Sequence, residues 1–195
     1  MSKIDQKELQ SYFTSLCKSF YIVYKQVKRL EKEEEEEELK KTDLQGELEV
    51  INQLLEMPDE APYWQKYVTK NCSKEELHAR KEELEKELDE YYKKGKKLKY
   101  VKKEWQRNYN NMTKAIEELI ITIEDNELSI TVSSKEEITA LMYFYSAYTL
   151  SNHKIINTDE KSLKSFPKGK KYQEFYKAYC LEDDVELKKI CRKYY

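Results

Sequence analysis

The chain carries two histidines, and one of them, His78, sits in Glu75-Glu-Leu-His78. A glutamate three residues before a histidine puts both on one helical face. Di-iron carboxylate bundles use that motif twice, with two further glutamates on other helices. A single copy occurs here, so a surface helix accounts for it and no metal site is expected. Cys17, Cys72, Cys180 and Cys191 show no CxxC spacing and do not form the pattern of a disulfide framework. Buried free thiols are the expectation for such residues. No Gly-rich phosphate loop, GxSxG or HExxH appears. No catalytic, cofactor-binding or metal-ligating residue is therefore assigned, and the chain is expected not to be an enzyme.

What the sequence does carry is charge in blocks. Glu31 to Glu38 holds seven Glu and one Lys, and Lys93 to Lys103 holds seven Lys and no acid. An acidic run by itself reads as a solvated helix or a disordered linker, because like charges at i,i+4 repel. The two runs together read differently: folded side by side, each neutralises the other.

The apolar residues supply the geometry. Leu9, Phe13, Leu16, Phe20, Val23, Val27 and Leu30 step by four and three, which is a heptad seam. The count passes through Glu34, Glu37 and Lys41 and meets Leu44, Leu48, Ile51 and Leu55 in the same phase. A change of chemistry without a change of register predicts one continuous helix over about 5–57, stopped by Pro58. Ser73-Lys-Glu-Glu76 is a capping box. It opens a second helix to about 125, whose seam runs Leu84, Leu88, Tyr91, Gly95, Leu98, Lys102, Trp105, Tyr109, Met112, Ile116, Leu119 and Ile123. Folding the pair about residue 65 brings the acidic belt opposite the basic one. Complementary charge of this kind sets antiparallel register in coiled coils. Exposed ion pairs are worth only about 0–1 kcal/mol each, so the apolar ends must hold the hairpin shut.

The predicted fold is all-α: a long antiparallel coiled-coil hairpin over 1–125 with its tip at 58–72, and a small helical subdomain over 126–195 packed on the hairpin's open end. Leu128, Ile130 and Val132 alternate with polar residues, a possible short strand, though an extended linker fits better without a pairing strand. Ser134-Lys-Glu-Glu137 is a second capping box before a helix to about Leu150. Thr158 is a candidate cap for a short helix to Ser165, and helices at about 169–180 and 183–194 finish the chain. The last is read with Val185, Leu187, Ile190, Cys191 and Tyr194 as its apolar residues.

Three Gly, three Pro and 38% charged residues fit long helices, and 17 Tyr in the chain argue against disorder. A net charge of −2 exerts no global pull on nucleic acid or membrane, and no apolar run is long enough to span a bilayer. MSKIDQKELQ is too polar for a signal peptide, so a reducing, cytoplasmic setting is expected. The functional expectation is a protein-interaction module: a scaffold, adaptor, assembly subunit or inhibitor, with homo-oligomers possible. Aromatic residues at the tip (Tyr63, Trp64, Tyr67) and on the terminal helices (Tyr172, Phe175, Tyr176, Tyr179) are its candidate binding residues, Trp and Tyr being enriched at interface hot spots. The alternative is a nucleic-acid-associated protein using Lys93, Lys94, Lys96, Lys97, Lys99, Lys102, Lys103 and Arg107, or the Lys-rich C-terminus, with aromatics to stack on bases.

Overall fold

A computed structural model describes residues 5–56, 73–147 and 155–195, the side chains of Glu160 and Leu163 apart. The described chain is all-α. Helix α1 runs Gln6–Leu55, α2 Lys74–Asp125, α3 Lys135–Ala147, α4 Glu160–Ser165, α5 Lys170–Cys180 and α6 Asp184–Tyr194. Helices α1 and α2 pack closely as an antiparallel hairpin. Two compact units result, Met1–Gln26 with Trp105–Tyr195, and Val27–Glu104.

The helix ends follow from local hydrogen bonding. Asp5 starts α1 by accepting from the Lys7 N–H at 2.8 Å. The first capping box forms reciprocally: the Ser73 N–H donates to Glu76 at 2.8 Å and the Glu76 N–H to the Ser73 hydroxyl at 3.1 Å. Helix α2 ends in a Schellman turn, with Leu128 N–H on the Ile123 carbonyl and Glu127 at φ 53°. Helix α5 ends in the same way, with Glu182 at φ 56° and the Asp183 N–H on Ala178. Asp183 then caps α6 through the Glu186 N–H at 2.9 Å. The cap of α4 is Asp159, which accepts from the Ser162 N–H at 2.6 Å, and not Thr158: aspartate is the stronger acceptor one residue closer. Gly169, before α5, stands at φ 143°, and a Cβ there would meet the Tyr172 ring at 3.2 Å.

The first unit (1–26 with 105–195) is built around a large apolar core. Phe13, Cys17 and Phe20 of α1, Ile120 and Ile123 of α2, and Ile138, Leu141 and Met142 of α3 are fully buried. Phe20, Tyr109 and Tyr143 form a mutually touching ring cluster, with centroids 5.4–5.6 Å apart. Residues 128–132 run extended, with Ile130 and Val132 buried. They form no ladder but make one parallel bridge, Ile130 with Ile156. Their other edge is held by α1: the Gln10 side-chain amide donates to the Thr131 carbonyl at 3.0 Å and accepts from its N–H at 2.8 Å. Gln6 donates to the Ser129 carbonyl. The N–H and carbonyl groups of Ile130 and Thr131 are thereby satisfied without a sheet.

The second capping box has a further duty. Glu137 is 1% exposed. Its carboxylate accepts from the Ser133 and Ser134 N–H groups at 2.8 and 3.0 Å and from the Thr14 hydroxyl at 2.6 Å. A buried carboxylate is tolerable because its oxygens are met, and this one ties the start of α3 to α1. Cys17 lies close by. Burial, reinforced by the negative charge of Glu137, pushes its thiol far above the usual thiol range.

The second unit (27–104) is the charged stretch of the hairpin. Its apolar residues are few: Val27, Leu30, Ile51, Leu77, Leu84, Leu88 and Leu98 are buried. Between them the belts meet. Glu34 pairs with Lys102, and Glu37 with Lys94 at 2.6 Å. Arg80 grips Glu47 through two nitrogens at 2.8 and 3.2 Å, a bidentate contact of good geometry. The Gln45 amide donates to the Tyr92 hydroxyl at 3.0 Å, and Lys41 lies over the Tyr92 ring. The other belt glutamates with ion pairs take them within α1: Glu31 with Lys28, Glu36 with Lys32 and Glu38 with Lys41.

Candidate protein-docking surface

A docking surface needs apolar side chains left in water and a depression to receive the other molecule. Helices α5 and α6 of the first unit provide both. Their inward faces are used up in the core. Tyr172, Phe175, Tyr176 and Tyr179 are all buried, with the Tyr179 hydroxyl accepting from the Ile156 N–H at 2.9 Å and ring contacts from Phe175 and Tyr179 to Tyr145 at 5.8 and 6.1 Å. The aromatic face of α5 is a packing face.

The outward faces carry a different pattern. Glu174, Lys177 and Ala178 on α5 with Leu181 just after it, and Glu186, Lys189, Ile190 and Lys193 on α6, follow i, i+3, i+4, i+7 spacing, which aligns each set in one row. With Asp183 they line a groove of about 510 Å³. Ala178 and Ile190 are the buried apolar residues in it. The ionic side chains balance, three Lys against Glu174, Asp183 and Glu186. Glu174 accepts from the Tyr194 hydroxyl at 3.0 Å and pairs with Lys193 at 3.6 Å. The tyrosine hydroxyl, with Lys193 and Lys170, holds its carboxyl below the usual range. At the end of the groove Leu181 is 67% exposed, and at the start of α6 Val185 is 81% exposed.

Sequence patterning did not find this surface. The apolar pattern groups Val185 with Leu187, Ile190 and Cys191, all of which are buried. Its phase differs: Val185 lies two residues before Leu187, which turns it about 200° away around the helix. Leu181 falls in the turn after α5, where periodicity has nothing to say.

The other candidate residues fall as follows. Tyr63, Trp64 and Tyr67 lie outside the described residues. In the second unit Lys93, Lys94, Lys96, Lys97, Lys99 and Lys103 are exposed and Lys102 half-buried. Lys94 and Lys102 are engaged by belt glutamates and Lys93 by Asp89. Arg107 is exposed in the first unit. His78 is exposed on α2. Among the described residues no cluster of acidic, His or Cys side chains is placed to hold a metal ion, and no helix is long and apolar enough to cross a membrane. Of the thiols, Cys17 and Cys191 are buried and Cys180 exposed. Burial pushes the Cys191 thiol up to about 12.

No protein family, no curated protein and no solved structure matches the chain.

Proposed function

We propose that the chain is a non-enzymatic interaction module that offers the outer surface of α5 and α6 to a protein partner. The observation behind this reading is the exposure of Leu181 in the lining of a groove with an apolar floor, with Val185 exposed at the start of α6. Large aliphatic side chains in water beside a depression favour burial against another molecule. The balanced ionic rim suits a partner of mixed charge, such as an amphipathic helix with one apolar anchor. The buried thiols Cys17 and Cys191 suit a reducing compartment such as the cytoplasm.

The test is cross-linked capture from the native cell with the wild-type chain and with Leu181→Asp/Val185→Asp. Both positions are exposed, so the variant should melt within a few degrees of wild type. The reading expects proteins captured by the wild type to be lost from the variant. Equal capture by both, or none by either, contradicts it.

A second reading, nucleic-acid association, draws on Lys96, Lys97 and Lys103. They are exposed and in no ion pair among the described residues, with Tyr100 68% exposed among them. It requires binding to duplex or single-stranded oligonucleotide that falls steeply as salt rises.

A further inference from the structure

One side of the second unit carries two parallel rows of opposite charge. On α1, Glu31, Glu35, Glu38, Thr42 and Gln45 step by four and three, which aligns them along the helix. On α2, Tyr92, Lys96, Lys99 and Lys103 do the same. The rows lie on the same side of the hairpin: Gln45 is hydrogen-bonded to Tyr92, Lys41 lies over the Tyr92 ring, and Glu38 feels the charge of Lys99. They also run level, because the belt ion pairs fix Glu34 beside Lys102 and Glu37 beside Lys94. Glu35, Glu38, Lys96, Lys99 and Lys103 are exposed. Glu35, Lys96 and Lys103 are in no ion pair among the described residues.

A polyanion is a poor match for this side. It would gain the lysine row but lie one helix-packing distance, about 8–10 Å, from the glutamate row, within a Debye length at physiological salt. A polycation meets the converse problem. The complementary surface must itself carry a lysine row and a glutamate row, level and adjacent, and a second copy of this chain has both. Two symmetric ways exist to lay one hairpin on another through this side. A twofold axis across the helices places Glu over Glu and Lys over Lys. A twofold axis parallel to the helices exchanges α1 and α2 and leaves heights along the hairpin unchanged. It sets each Glu over a Lys at its own level.

We infer that the second unit self-associates through this side as a parallel-axis C2 dimer, with α1 of each copy antiparallel to α2 of the other. Glu31 meets Lys103 of the second copy, Glu35 meets Lys99 and Glu38 meets Lys96, each pair formed twice by symmetry. Tyr92 and Tyr100, 47% and 68% exposed, flank the lysine row and become covered at the seam. Exposed ion pairs are individually weak, so the dimer is a salt-sensitive one, distinct from protein capture at α5 and α6.

The test is sedimentation equilibrium of the full chain at about 50 mM and about 500 mM salt, where screening differs several-fold in range. Twice the chain mass is expected at low salt, with the association constant falling at least about tenfold at high salt. Glu31→Lys/Glu35→Lys/Glu38→Lys and Lys96→Glu/Lys99→Glu/Lys103→Glu should each be monomeric. Mixed in equal amounts, they should re-form a dimer containing one of each, since every contact is then again between unlike charges. If either triple variant loses its helical circular dichroism, Lys96→Glu decides instead: it breaks no ion pair within the described chain and should weaken dimerisation several-fold. A monomeric wild type at low salt, a dimer indifferent to salt and reversal, or a mixture that stays monomeric overturns the inference. So does a monomeric wild type that binds a 20-base-pair duplex through the same lysines, which would make the side a polyanion face.

Discussion

The two units use one heptad seam for opposite purposes. In the first, seam positions such as Phe13, Phe20, Ile116 and Ile123 are buried against α3 and the C-terminal helices. In the second, the middle of the same phase is occupied by Glu34 and Lys102, which pair with each other, and by Glu37, which pairs with Lys94. Apolar burial is strong and indifferent to pairing, since one aliphatic side chain serves about as well as another. Ion pairs near water are weak but discriminate, because a register slip brings like charges together. The first unit therefore carries stability and the second carries register.

That contrast can be broken at its strong end first. Phe20→Ala in the first unit should cost about 3–5 kcal/mol, read as a lowered denaturation midpoint. Glu137→Ala should cost about 1–3 kcal/mol by stranding the Thr14 hydroxyl and two N–H groups. Urea titration checks it, and a loss well below that range would mean that water replaces the carboxylate. In the second unit a change of the opposite sign is available. Gly95 sits mid-helix, and a Cβ there meets nothing within 4 Å. Gly95→Ala should therefore stabilise by about 1 kcal/mol, measured in the same way.

The smallest stability effects belong to the belts. Lys102→Ala should cost no more than about 1 kcal/mol by the same titration. Acid acts on other ion pairs of the second unit. Lys41 and Arg80 hold the Glu38 and Glu47 carboxyls below the ordinary glutamate value of 4.5. Their contribution is present above that value and is lost as pH falls through the depressed one. Amide exchange, corrected for its intrinsic pH dependence, should speed up at residues 27–55 as pH drops below about 4.5. It should slow again on return to neutrality.

Much of the fold could be read from the residues. Steps of four and three kept phase from Leu9 to Leu55, and both capping boxes, Ser73–Glu76 and Ser134–Glu137, formed as spaced. The belts met, although Glu31, Glu36 and Glu38 take partners along α1 where i,i+3 and i,i+4 lysines are nearer. Tertiary contacts were harder. Nothing local in Gln6 or Gln10 announces that their amides will clamp a backbone more than a hundred residues away. The burial of Glu137 depends on Thr14, again distant in the chain. The aromatic row of α5 was legible as a row, but a helix pattern gives a face and not what lies against it. Tyr172, Phe175, Tyr176 and Tyr179 turned inward, while the exposed aliphatic residues were Leu181, in a turn at the groove, and Val185, off the apolar phase.

Zero-length carbodiimide cross-linking tests the register directly, since it joins only a carboxylate and an amine already in contact. A mixture of isotope-labelled and unlabelled chains separates links within a chain from links between copies. Peptide mapping should recover Glu34–Lys102 and Glu37–Lys94 as links within one chain. Same-chain links from Glu34 and Glu37 to lysines a heptad or more away, or none to residues 93–103, would contradict the pairing of the two belts.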